Sequence, residues 1–218
     1  MNTLFSPDSK VVQILTLVFN LILLNLLWLI TSLPIITIGA STTAMYAVTL
    51  KYAENSDDEV LKPFFKAFIS NFKQSTLLWI PICILTVVLG IDAYYLISHT
   101  DISIAPLLWI PFFVLVVVLA VVMAYAFPQI ARFETTLRDV LRNAALMFFL
   151  HFFQSIGIIV LNVLPWAMML MLPEIFAQTS IFWLMFGGSA IAYFNAKVLL
   201  KIFKKHQPEE SEALAEEL

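Results

Sequence analysis

The segment from Pro106 to Phe127 constrains the fold most, because it runs for 22 residues without a charged side chain. A helix crosses the apolar core of a bilayer with about 20 consecutive apolar residues. Comparable runs begin near Val11, Gln74 and Ile175, and the chain is 61% hydrophobic and only 12% charged. A water-soluble domain of this composition would expose large apolar patches. The sequence therefore predicts an all-α, polytopic membrane helix bundle.

About six helices are expected, five of them full spans and the second one short. Proline cannot continue the hydrogen bonding of a helix, so Pro34, Pro128, Pro165 and Pro173 are expected to mark helix ends. The predicted helices are, in chain order, Val11–Leu33, a short helix within Pro34–Ala53, Gln74–Ile97, Pro106–Phe127, Thr136 to about Pro165, and Ile175–Phe203.

The stretch after Pro34 predicts a tightly packed short helix. Thr37 or Ser41 is placed to cap its first turn. Small residues recur every four positions from Gly39 to Ala47, and this spacing lets two helices approach closely. Since the segment from Pro34 to Leu50 is short for a full span, both a tilted spanning helix and a re-entrant helix remain open.

A capping-box pattern at 56–59 predicts an amphipathic helix near 59–73 that lies in the membrane interface before the third span begins. Leucine and phenylalanine side chains from Leu61 to Phe72 share one face, and the lysines lie off it. A second basic amphipathic segment at Thr136–Phe149 also leads into a span. The two suggest related halves, although residue identity alone is too low to establish a repeat.

The basic residues predict the orientation of the chain. Four lysines lie in 51–73, three arginines in 132–142 and four lysines in 197–205, whereas the loops at 98–105 and 173–180 contain none. Cytoplasmic loops carry such an excess. We expect a multi-pass protein of the cell membrane with both termini in the cytoplasm; if the second segment does not cross, the N-terminus lies outside. One transmembrane domain is expected over 1–206, followed by an acidic, disordered cytoplasmic tail at 207–218.

Polar residues within the spans have two interpretations. They form interhelical hydrogen bonds, or they line a polar path of a small-solute transporter or channel between helices 1, 2 and 5. The candidate positions are Asn20, Asn25, Thr37, Ser41, Thr42, His151, Gln154 and Asn162. A separate basic surface is predicted to meet a cytoplasmic partner or anionic lipids. Its residues are Lys62, Lys66, Lys73, Arg132, Arg138 and Arg142.

Signals of enzymatic chemistry are missing from the sequence. It contains no HExxH, GxSxG or P-loop pattern, and Cys83 is the single cysteine. We therefore expect no catalytic residue, cofactor or metal site, and no nucleic-acid partner.

Three stretches carry a resemblance to a known family: NLLWLITSLPIITIGASTTAMYAVTLK, FFKAFISNFKQSTLLW and AFPQIARFETTLRDVLRNAAL. They resemble the YesL family of bacterial membrane proteins, which is catalogued as domain of unknown function 624. The resemblance implies an origin in Gram-positive bacteria and a link to carbohydrate utilisation. It also implies a non-enzymatic accessory or regulatory role in oligosaccharide uptake, with sugar ABC-transporter permease subunits as partners. No catalytic residue is carried over.

Overall fold

The computed structural model describes residues 9–54, 59–98 and 105–206, and the regular elements in these ranges are all helical. The predicted capping box at 56–59, the loop at 98–105 and the acidic tail at 207–218 lie wholly or largely outside them.

Within the described residues, five helical segments are long and apolar enough to cross a membrane: Lys10–Thr31, Leu61–Ser98, Leu107–Arg132, Phe152–Met171 and Ser180–Lys205. The expected five spans with a short second helix are therefore confirmed. The elements are α1 (Lys10–Thr31), a 3₁₀ turn (Ile35–Thr37), α2 (Ile38–Ala53), α3 (Leu61–Ser98), α4 (Ala105–Arg132), α5 (Leu137–Leu150), α6 (Phe152–Met171), α7 (Pro173–Gln178), α8 (Ser180–Phe182), a π-helical turn (Trp183–Gly187) and α9 (Gly188–His206).

α2 lies in the interior of the bundle and packs on α3, α4 and α9. Ala40 and Ala44 on this helix have no exposed surface. Gly39 lets the backbones of α2 and α3 meet, since a β-carbon there would lie 2.6 Å from the carbonyl oxygen of Ser75. The close approach predicted from the small residues is confirmed at Gly39. The short second helix has 16 residues and is therefore about 24 Å long.

Pro34 separates α1 from α2 as predicted, and the 3₁₀ turn follows it directly. The predicted side-chain cap of α2 is wrong. Because the turn runs straight into the helix, Thr37 has helical backbone angles, whereas a capping residue needs an extended backbone. The Thr37 hydroxyl donates instead to the carbonyl oxygen of Pro34 at 2.7 Å, and the Ser41 hydroxyl donates to that of Thr37 at 3.0 Å.

The amphipathic segment at 59–73 is not a separate interfacial helix. It forms the first turns of α3, which continues without a break to Ser98. Phe64 is fully buried, while Phe65 and Phe72 stay exposed. The predicted boundary at Gln74 is wrong, since α3 passes through this position without a break and packs on α2.

Two predicted proline boundaries are also wrong. α4 runs through Pro128 to Arg132, and α6 runs through Pro165 to Met171. Prolines are tolerated inside membrane helices where neighbouring helices and side chains compensate for the lost hydrogen bond. The prediction of one continuous fifth helix from Thr136 to about Pro165 is wrong, since α5 ends and α6 begins on either side of His151.

The bundle contains two units of similar build. The first unit is α2 with α3, and the second unit is α4 with α5 and α6. Position by position, residues 61–70 are buried or exposed in the same way as residues 141–150. Several residues recur 80 positions later: Glu54/Glu134, Val60/Val140, Leu61/Leu141, Phe68/Phe148, Phe72/Phe152, Gln74/Gln154 and Ser75/Ser155. The correspondence suggested by the sequence is therefore also present in the pattern of burial.

Candidate functional site

Asn25 joins α1 to the π-helical turn that precedes α9. Its Nδ2 donates to the carbonyl oxygen of Leu184 at 2.7 Å, and its Oδ1 accepts from the amide of Ser189 at 3.0 Å. These backbone groups are five residues apart, the spacing of a π-helical hydrogen bond, and the side-chain amide bridges them. Gly188 makes room for it, since a β-carbon there would lie 2.9 Å from Asn25 Oδ1. The side chain of Asn25 therefore forms hydrogen bonds between helical segments inside the bundle.

Polar side chains join α2 to α1, α3 and α9. Thr42 was predicted from the sequence, and its partner Trp28 lies on α1. The three hydrogen bonds are Trp28 Nε1 to Thr42 Oγ1 at 3.1 Å, Thr43 Oγ1 with Ser75 Oγ at 2.8 Å, and Asn195 Nδ2 to Tyr46 Oη at 3.3 Å. Such bonds hold membrane helices together, because an unpaired polar group is costly in hydrocarbon.

His151 lies at the break between α5 and α6 and is buried. Its backbone angles, φ −123° and ψ 44°, leave the helical region. Its carbonyl oxygen accepts from the Ser155 hydroxyl at 2.9 Å, and that hydroxyl lies 2.6 Å from Tyr125 Oη on α4. His151, a candidate position within the predicted fifth helix, thus lies in a turn next to a hydrogen-bonded serine–tyrosine pair.

The remaining candidates do not meet in one space. Asn20 is buried on α1, while Gln154 is exposed on α6. Asn162 donates to the carbonyl oxygen of Ile158, one turn earlier on its own helix, at 2.8 Å. None of the predicted polar positions lines the cavity beside α5 or the apolar groove between the 3₁₀ turn and α3.

Arg132 differs from the other residues of the predicted basic surface. It is half-buried, and its Nη1 lies 2.7 Å from Glu54 Oε1, so it pairs the end of α4 with the end of α2. The other five residues are exposed: Lys62, Lys66 and Lys73 on α3, and Arg138 and Arg142 on α5. The part of the predicted surface available to a partner is therefore these five side chains.

A cavity of about 330 Å³ lies between the end of α4, one face of α5 and the end of α9. Its polar lining residues are Gln129, Thr135 and Asn143, and its apolar ones are Phe133, Leu146, Met147, Leu150 and Phe203. Gln129 is 1% exposed, and no atom in the described part of the chain accepts from its Nε2.

The sequence did not predict several residues that form hydrogen bonds between the helices. Ser75, Tyr125 and Ser189 were not singled out, although all three are buried and bonded between helices. One signal was available: Ser75 and Ser155 follow a glutamine at equivalent places in the two units. Gln129 carried no such signal, because its environment depends on where α5 and α9 end.

The helices and their internal polar contacts define a polytopic α-helical membrane protein. Residues 21–93, about a third of the chain, match the model of a family described as "Protein of unknown function, DUF624". The resemblance identified from the sequence is confirmed over this range. No curated protein and no solved structure matches the chain.

Proposed function

We propose that the protein is a non-enzymatic accessory or regulatory component of a carbohydrate-uptake system in the cell membrane. The observation that carries the proposal is a contrast between polar side chains inside the bundle and basic side chains on its surface. Asn25, Thr42 and Thr43 have hydrogen-bond partners on neighbouring helices or turns. Five basic side chains on α3 and α5 stay exposed. A surface of this kind is suited to contact with a partner or with anionic lipids.

The arrangement of helix ends supports a cytoplasmic position for this surface. The Arg132–Glu54 pair brings the ends of α4 and α2 together, and the ring of Phe133 lies 5.3 Å from that of Phe203 near the end of α9. Basic residues of these helices therefore gather at one end of the bundle, as expected for the cytoplasmic side. α1 runs antiparallel to α2, since Trp28 meets Thr42, which supports an N-terminus at the same end.

The class of partner follows from the resemblance to the YesL family, which is linked to polysaccharide utilisation. On this proposal the partner is a sugar ABC-transporter permease subunit with acidic groups at its cytoplasmic end. Opposite charges would then orient the two proteins, and salt would weaken the complex.

Affinity purification from native membranes in mild detergent, followed by mass spectrometry, tests the proposal. Lys66→Glu with Arg138→Glu reverses two exposed charges, one in each unit. We expect sugar-permease subunits to accompany the wild-type protein and to be recovered at least fivefold less with this variant. Lys201→Glu with Lys204→Glu makes the same change of charge on α9 and should recover them normally.

Two results would contradict the proposal: a wild-type protein that is folded and abundant but comes down alone, or equal recovery with both double variants.

Sugar uptake separates this role from that of a transporter. Asn162→Leu removes an amide that is bonded within its own helix, so uptake at normal protein level should not change. Loss of uptake in this variant, with the protein folded, would favour a solute path instead.

A further inference from the structure

The cavity beside α5 contains an unused hydrogen-bond donor. Gln129 is buried, and its Nε2 has no acceptor among the described residues. Buried donors without a partner are rare in folded proteins and call for an explanation. Gln129 also lines the cavity, so an occupant with an acceptor oxygen would provide the missing partner once the side chain turns its amide toward that space.

The lining of the cavity indicates the class of occupant. The described residues that line it include no charged side chain, so a charged group inside would gain no compensation from them. Two carboxamides, Gln129 and Asn143, provide donors and acceptors, and five apolar side chains form the remaining walls. An occupant that fits this lining is uncharged, carries hydroxyl or carbonyl oxygens, and continues into an apolar chain.

The position of the cavity indicates where the occupant comes from. α5 carries exposed arginines at Arg138 and Arg142 and exposed apolar residues at Phe149 and Leu150. Such a mixture is typical of a helix at the boundary between head groups and acyl chains. A lipid can therefore place its head at the cavity while its chain remains in the membrane.

Comparison of the two units supports an apolar occupant at the second one. Leu146 and Leu150 line the cavity, and the corresponding residues of the first unit are Lys66 and Ser70. Asn143, which adds an amide to the lining, corresponds to Pro63. The second unit thus presents an apolar wall with an amide where the first unit presents a polar helix face.

We propose that the cavity lined by Gln129, Asn143 and Leu146 binds an uncharged glycerolipid through the hydroxyl and ester oxygens of its head. Gln129 Nε2 donates to one of these oxygens, and Leu146, Met147 and Leu150 contact the start of an acyl chain. The inference does not depend on the proposed accessory role, because it concerns a ligand and not a protein partner.

Native mass spectrometry of the full-length protein in detergent tests this binding. The probes are dioleoylglycerol, dioleoyl phosphatidylglycerol and glucose, each titrated separately and in competition. We expect saturable binding of one dioleoylglycerol, at least tenfold tighter than either of the others. Equal affinity for phosphatidylglycerol would show that the site does not select an uncharged lipid. Displacement of dioleoylglycerol by glucose would show that the site binds a soluble sugar. Either result overturns the proposal.

Gln129→Leu removes the donor and should weaken dioleoylglycerol binding at least tenfold while the protein still folds, since no bond within the described residues is lost. Gln154→Leu removes an exposed amide outside the cavity and should bind as wild type. Met147→Trp fills the cavity and should also abolish binding. If Gln129→Leu does not fold, Asn143→Leu at a half-exposed position replaces it. A folded Gln129→Leu or Asn143→Leu protein with wild-type binding would overturn the proposal.

Discussion

The two units of the bundle share a residue pattern but differ in how their helices continue. In the first unit, Asn71 lies inside α3, and its Nδ2 donates to the carbonyl oxygen of Ala67, one turn earlier. In the second unit the corresponding residue is His151, where the chain leaves the helical conformation and separates α5 from α6. The same pattern of apolar and basic residues therefore occurs in the continuous helix α3 and in the interrupted pair α5 and α6.

Their neighbours account for the difference. Gln74 of the first unit donates to the carbonyl oxygen of Thr135 at 2.6 Å, whereas its counterpart Gln154 is exposed. Ser75 bonds across to Thr43 on α2, whereas Ser155 bonds both to Tyr125 on α4 and to the carbonyl oxygen at the break. In the second unit these differences leave a cavity beside α5.

The largest expected effect is a difference in stability between a glycine substitution in the first unit and one in the second. Gly39→Leu should prevent folding or lower the free energy of unfolding by about 3 kcal/mol, because its side chain would overlap α3 at Ser75 and Trp79. Gly157→Leu in the second unit meets open space within 4 Å, so its effect should stay within about 0.5 kcal/mol. Unfolding of both purified variants in detergent measures the difference. Equal effects would mean that the two units are packed alike.

A smaller effect is expected where the units are alike. Double-mutant cycles on Thr43→Val with Ser75→Ala, and on Tyr125→Phe with Ser155→Ala, should each give a coupling of about 1 kcal/mol, the range of interhelical hydrogen bonds in membranes. The serines are both buried and their hydroxyl pairs have similar lengths, 2.8 and 2.6 Å. A coupling found in one unit and absent from the other would break the correspondence between them.

The sequence predicted which segments span the membrane and pack closely better than it predicted where the helices begin and end. Long apolar runs were enough to predict five spans, and Pro34 and Gly39 were enough to predict a break followed by close packing. The boundaries at Gln74, Pro128 and Pro165 were predicted from local signals, and all three are wrong, since a helix passes through each position without a break. The break at His151 has no proline or glycine to announce it.

The candidate site shows the same limit. Polar residues such as Asn25 and Thr42 were recognisable from their place in apolar runs. Their partners were not, because a π-helical turn and an indole on another helix are features of the assembled bundle. Gln129 lies in a cavity that exists only where α4, α5 and α9 end together.

The smallest expected effect concerns the ion pair that links the units. Glu54→Gln removes the charge opposite Arg132 and should lower stability by about 0.5 kcal/mol, because both side chains are about a quarter exposed. Its counterpart Glu134 is exposed and has no ion-pair partner within the described residues, so Glu134→Gln should have no measurable effect. High salt should reduce the difference between the two variants. A larger loss of stability with Glu134→Gln than with Glu54→Gln would mean that Glu134, and not Glu54, links the two units.

The measurement that tests the central claim most directly is a pair of spin-label distances in the purified protein, with Cys83 replaced by serine. Labels at positions 65 and 80 report on α3, and labels at 145 and 160 report on the corresponding stretch across His151; all four positions are exposed. We predict about 22 Å for the first pair, the length of fifteen residues of continuous helix, and a clearly shorter distance for the second. Equal distances in the two units would contradict the account.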